Sequence, residues 1–123
     1  MQDWHVLVVE DDPHGQNVAA TVLKFNNISV DVASTAEDGL LLLQQNHYNA
    51  AIVDLALPGM DGWTMLKHVQ ADPNLAGLPC VAVTAFHSTT VALEAIKAGF
   101  VAYFPKPISA ATFVKDLRRY IPS

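Results

Sequence analysis

Three runs in this chain are almost uninterrupted in their apolar character: HVLVV at 5–9, AAIV at 50–53 and CVAV at 80–83. A strand with one wet face alternates polar and apolar residues, so runs of this kind have to be covered on both faces. A parallel strand inside a sheet flanked by helices meets that condition. The last two runs extend to AAIVD (50–54) and CVAVTA (80–85), and two more, ISVDVA (28–33) and VAYF (101–104), complete a set of five. ISVDVA alternates, as a strand at the edge of a sheet does.

Helical periodicity fills the gaps. Asp12-Pro13 supplies an N-cap and a first-turn proline, and Val18, Val22 and Phe25 follow at helical spacing. Ser34-Thr35-Ala36-Glu37 reads as a capping box ahead of Leu40 and Leu43. Asp61 can cap a helix carrying Met65, Leu66 and Val69, which Asp72-Pro73 ends. A fourth helix over Val91 to Ala98 stops at Gly99, and a fifth starts at Ser109 with Phe113, Leu117 and Ile121 on one stripe. Strand and helix alternate with no repeat, linker or low-complexity segment. The expectation is an α/β chain, a (βα)5 doubly wound parallel five-stranded sheet forming one domain over 1–123.

Composition narrows the function classes. At 123 residues with 51% apolar content and a mean hydropathy of +0.25, the chain can bury a well-filled core. Twelve acidic against seven basic residues give a net charge of −5, which argues against direct nucleic-acid binding. Lys106, Lys115, Arg118 and Arg119 crowd the end of the chain, but Asp116 lies among them, and the group reads as a solvated helix face. The lone Cys80 excludes an internal disulfide, fits a reducing compartment, and reads as a small buried hydrophobe. The five histidines are dispersed, without zinc-ligand spacing. No signal peptide is visible and no run approaches the ~20 apolar residues that insert in a membrane. A cytoplasmic location is expected.

In open α/β sheets the carboxyl ends of the strands form the ligand-binding edge. There the first strand is followed by Glu10, Asp11 and Asp12, the third ends on Asp54, the fourth on Thr84-Ala85, and Lys106-Pro107 follows the fifth. Two carboxylates about 4 Å apart repel by roughly 4 kcal/mol at an effective dielectric near 20. One lysine cannot offset three acids. A hard divalent cation with oxygen ligands, Mg²⁺ or Mn²⁺, fits the deficit. Metal, ammonium and hydroxyl together suit phosphoryl transfer, with Asp54 as the natural nucleophile.

LVVEDD, VDLALPGMDGW, VAVTAF and YFPKPI, in this order and spacing, resemble the signature of bacterial two-component response-regulator receiver domains, in particular the single-domain chemotaxis regulators. The resemblance spans essentially the whole chain. It implies a flavodoxin-like fold with strand order 2-1-3-4-5. It makes Asp54 the phosphoacceptor, and gives the metal Glu10, Asp11, Asp54 and the backbone carbonyl of Ala56. It makes Thr84 the hydroxyl that moves toward the phosphoryl group, Lys106 its ion-pair partner, and Tyr103 the aromatic switch that follows Thr84. A cis bond between Lys106 and Pro107 is implied as well. Asp12 is better read as the helix cap than as a further ligand.

Further implications concern partners. A histidine kinase or histidine phosphotransfer protein would donate the phosphoryl group, and a downstream protein would read the surface formed by the fourth helix, fifth strand and fifth helix. Ala56 and Phe86 depart from the chemotaxis pattern, where these positions often carry polar groups that orient water, so slow self-dephosphorylation is expected. The chain is then a signalling module and not an enzyme beyond its own phosphotransfer and slow autodephosphorylation. An aspartyl-phosphate phosphatase would place a second acid where Ala56 stands. A pseudo-receiver that docks without phosphate, and a receiver excised from a hybrid kinase or larger regulator, are the other readings.

Overall fold

In the computed structural model, which describes residues 4–121, strand β1 (His5–Val9) sends Val6 and Val8 into one core and Leu7 and Val9 into another, and all four are buried. β3 (Ala50–Asp54) divides in the same way, Ala50 and Ile52 against Ala51 and Val53, and β4 (Cys80–Thr84) sets Val81 and Val83 against Cys80 and Ala82. This two-sided burial is the physical reason the three runs are continuously apolar. Each Val, Leu or Ile among them contributes about 1.5–3 kcal/mol relative to an exposed one. With β2 (Ser29–Ala33) and β5 (Ala102–Pro105) they form one parallel sheet in the order β2-β1-β3-β4-β5. The alternating run β2 does occupy an edge.

One face is covered by α1 (Pro13–Phe25) and α5 (Phe113–Leu117), the other by α2 (Ala36–Gln45), α3 (Gly62–Ala71) and α4 (Thr89–Ala98). The chain winds outward from β1 to β2, then returns past β1 to β3 and continues the other way. The loops after β1 and β3 therefore diverge, opening the edge where ligands bind in such sheets. Cys80 is 2% exposed and burial pushes its thiol up to about 12, which suits a packing role.

The starts of α1 to α4 are set by side-chain caps. Asp12, Asp61 and Ser88 accept from the backbone N–H of Gly15, Thr64 and Val91. Ser88 starts α4 at Thr89, two residues before the expected Val91. The expected capping box gives way to a single N-cap one residue later: Thr35, in extended conformation, accepts from Asp38 N, while Ser34 Oγ accepts from Gln16 Nε2 at 3.1 Å. Phe25 leaves the expected stripe and is 87% exposed, because the inward face of α1 is Ala19, Val22 and Leu23, spaced i, i+3, i+4. Ser109 does open the last turn, its carbonyl accepting from Thr112 and Phe113, but the regular helix α5 is five residues long. Phe113, Leu117 and Ile121 are buried as the stripe requires.

Candidate functional site

Asp54 is the last residue of the central strand β3, and Glu10 directly follows β1, its neighbour. Both carboxylates are buried, at 5% and 3% exposure, and Thr84 at the end of β4 is 1% exposed. These are the only polar side chains in the buried class among the described residues. Burying an isolated carboxylate is costly unless it is paired and hydrogen-bonded. Lys106, immediately after β5, supplies the pairing: its Nζ donates to Glu10 Oε1 and, at 2.9 Å, to Asp54 Oδ2. Asp54 Oδ1 accepts from the Ala56 N–H at 2.9 Å, and Glu10 Oε2 from the Asp12 N–H at 3.3 Å.

The shared ammonium leaves an uneven balance. Burial raises the Glu10 pKa above the usual carboxylate range; Lys106 opposes the rise and Asp54 reinforces it. Burial alone would lower the Lys106 pKa, but its bonds to Glu10 and Asp54 outweigh that and hold it above its ordinary value. Asp11 adds a third carboxylate, exposed to solvent. Ligand oxygens of Glu10, Asp11 and Asp54 all lie within 4.8 Å of one another. Three clustered hard oxygen donors with one nearby cation are a donor set suited to a divalent ion such as Mg²⁺.

Two glycines make room for this cluster. A Cβ on Gly15 would lie 2.5 Å from Glu10 Oε1, and one on Gly62 would lie 2.5 Å from the Asp54 carbonyl oxygen. Gln16 fixes the same corner from outside, donating to the Glu10 carbonyl at 2.6 Å. Gly15 and Gln16 lie in no motif quoted from the sequence, and Gly62 lies inside VDLALPGMDGW without a role assigned to it there.

The remaining expected residues are placed as follows. Asp12 is the α1 cap. Lys106-Pro107 is cis, and the Lys106 N–H donates to the Thr84 carbonyl. Thr84 Oγ1 accepts from the Phe86 N–H at 3.1 Å. The Phe86 side chain is 74% exposed, and Ala56 is exposed as well. Tyr103 is half-buried in β5, and its hydroxyl shares a 2.9 Å hydrogen bond with His87 Nδ1.

The model of the response regulator receiver domain matches residues 6–118. The chain belongs to that family. A receiver domain of two-component signalling is what the strand-end cluster and the sheet order both describe, and the chain is similar to chemotaxis regulators across most of its length. It is 31% identical over 122 residues to the chemotaxis protein CheY-3 of Vibrio cholerae, covering 94% of this chain and 90% of that one. A putative response regulator from Chloroflexus aurantiacus superposes with a TM-score of 0.91 at 28% identity, covering 97% of this chain and 98% of that structure. The receiver domain of a Pseudomonas aeruginosa sensor histidine kinase, with a magnesium ion coordinated in its active site cleft, gives 0.87 at 25% identity over 97% and 98%. Among the described residues of this receiver, no helix is long and apolar enough to cross a membrane.

Proposed function

We propose that this receiver accepts a phosphoryl group on Asp54 from a phosphohistidine of a histidine kinase or phosphotransfer protein. The observation that carries the reading is the state of Asp54: buried at a strand end, paired with Lys106, and clustered with two further acids. An Asp54 oxygen attacks phosphorus in line as the P–N bond breaks, and the leaving imidazole keeps the bonding electrons. Lys106 balances charge on the phosphoryl oxygens. Thr84 turns its hydroxyl toward them, and the Ala56 N–H already faces the carboxylate from the other side. Glu10, Asp11, Asp54 and the Ala56 carbonyl would hold Mg²⁺, which when bound neutralises phosphoryl charge.

The response is a change of the surface built by α4, β5 and α5, relayed through Thr84 and Tyr103. Leu93, Ile96, Val101 and Tyr120 stand exposed in or beside those elements, apolar area suited to a downstream protein. Water, which neither Ala56 nor Phe86 can orient, then attacks the phosphorus slowly, and the Asp54 carboxylate leaves with the bonding electrons. The chain acts by binding, not by turning over a substrate, and a cytoplasmic location fits such a partner set.

Intact-mass measurement after incubation with Mg²⁺ and a small acyl phosphate tests the reading. One added phosphoryl group, dependent on both Mg²⁺ and Asp54, is the expected result, and it should vanish in Asp54→Asn. No gain in the wild type, with metal binding confirmed separately, would make the chain a docking module that never accepts phosphate.

A further inference from the structure

The loop between β4 and α4 touches three parts of the molecule through three consecutive residues. The Phe86 N–H donates to Thr84 Oγ1 at 3.1 Å. His87 Nδ1 bonds the Tyr103 hydroxyl at 2.9 Å, with ring centroids 5.6 Å apart. Ser88 caps α4 by accepting from the Val91 N–H at 3.0 Å. A displacement of any one contact is thus passed to the others within two peptide units.

We propose that His87 is a latch on Tyr103: a positioning residue that holds the ring in its outer, resting place and releases it when Thr84 engages a phosphoryl oxygen. The inference rests on the receiver reading and adds to it a residue that neither the sequence motifs nor the strand-end cluster contains. Two observations carry it. Thr84 is 1% exposed and its hydroxyl accepts from the loop, so turning that hydroxyl toward Asp54 takes the acceptor from Phe86 and frees the segment that bears His87. Tyr103 is only half-buried, packed against the core under α4, and its hydroxyl reaches outward to His87. Its ring can move without vacating a full core site. A solvent-exposed hydrogen bond of this kind biases a two-state equilibrium by roughly three- to tenfold, enough to set a resting population and weak enough to be overcome.

By linkage, loosening the resting state must tighten whatever binds the active one. The test is the affinity of the Mg²⁺-loaded protein for beryllium fluoride, a phosphoryl mimic at the Asp54 carboxylate, measured by isothermal titration calorimetry. His87→Ala should lower the half-saturating concentration about three- to tenfold, and His87→Gln, which can still reach the hydroxyl, should stay within about twofold of wild type. The alanine effect should disappear in a Tyr103→Phe background, because the two substitutions break one bond. An unchanged or weaker affinity in His87→Ala, or the same gain in both backgrounds, overturns the latch. Wild-type protein that takes up neither beryllium fluoride nor a phosphoryl group overturns the receiver reading and the latch with it.

Discussion

Lys106 Nζ lies 2.9 Å from Asp54 Oδ2 while also bonding Glu10, so one ammonium bridges the ends of two adjacent central strands. Counting side chains alone, Glu10 is 4% and Asp54 7% exposed, and no other lysine or arginine pairs with either of them among the described residues. Removing the cation therefore leaves two buried charges facing each other.

Lys106→Ala should destabilise the metal-free protein by about 3–5 kcal/mol, the usual cost of breaking a buried pair from one side. The measurement is urea unfolding in the presence of a chelator. Asp54→Asn on top of Lys106→Ala should recover part of the loss by removing one of the stranded charges, and Mg²⁺ should recover part in Lys106→Ala alone. A loss below 1 kcal/mol would show that solvent already compensates these acids.

Gly62→Ala places a methyl group against backbone, 2.5 Å from the Asp54 carbonyl oxygen and 2.9 Å from Leu55 Cα. Strand end and helix start would have to separate, at a cost of about 1–3 kcal/mol. Phosphorylation should slow with it, since the strand end that moves bears Asp54. Gly77→Ala, with nothing near its Cβ, is the matched control and should change neither quantity.

Tyr48 offers a pH test at the opposite end of β1 from the acid cluster. Burial, with Asp31 accepting its hydroxyl proton at 2.7 Å, raises its pKa from 10.0 to about 12. The folded state holds the proton more tightly than the unfolded one. Its contribution to stability is therefore complete below pH 10 and lost as pH rises toward 12. Phenolate absorbance should show one tyrosine titrating near the upper value, and Asp31→Asn should bring it down.

The lifetime of the acyl phosphate should depend on Ala56 and Phe86. Ala56→Asn together with Phe86→Glu adds groups able to hold an attacking water, and a hydrogen bond worth about 1 kcal/mol in the transition state corresponds to roughly fivefold in rate. Hydrolysis timed after removal of the phosphodonor should accelerate by that order. An unchanged rate would move control of the lifetime elsewhere in the site.

The rim of Glu10, Asp11, Asp54, Thr84 and Lys106 was legible because each residue interrupts or terminates an apolar run, and periodicity alone finds strand ends. The strand order was not legible in that way, since apolar runs do not say which neighbour they pair with; it came from the resemblance. Local competition explains the small displacements. Ser34 and Thr35 can both cap a helix, and Ser34 is drawn instead to Gln16, eighteen residues away. His87 bonding Tyr103 was hidden for the same reason: the contact depends on β4 lying beside β5, and no spacing along the chain encodes it.

The ion pair between Lys106 and Glu10 joins residues 96 positions apart. A chain emerging from a ribosome lays down Glu10 and Asp54 well before Lys106, the lysine that neutralises them. Until β5 docks, the growing sheet carries an edge of negative charge that Lys106 has not yet met. On the proposed reading, the capacity to accept a phosphoryl group therefore arrives in one step with the docking of β5, and a nascent chain that stops short of that strand would take none from its donor.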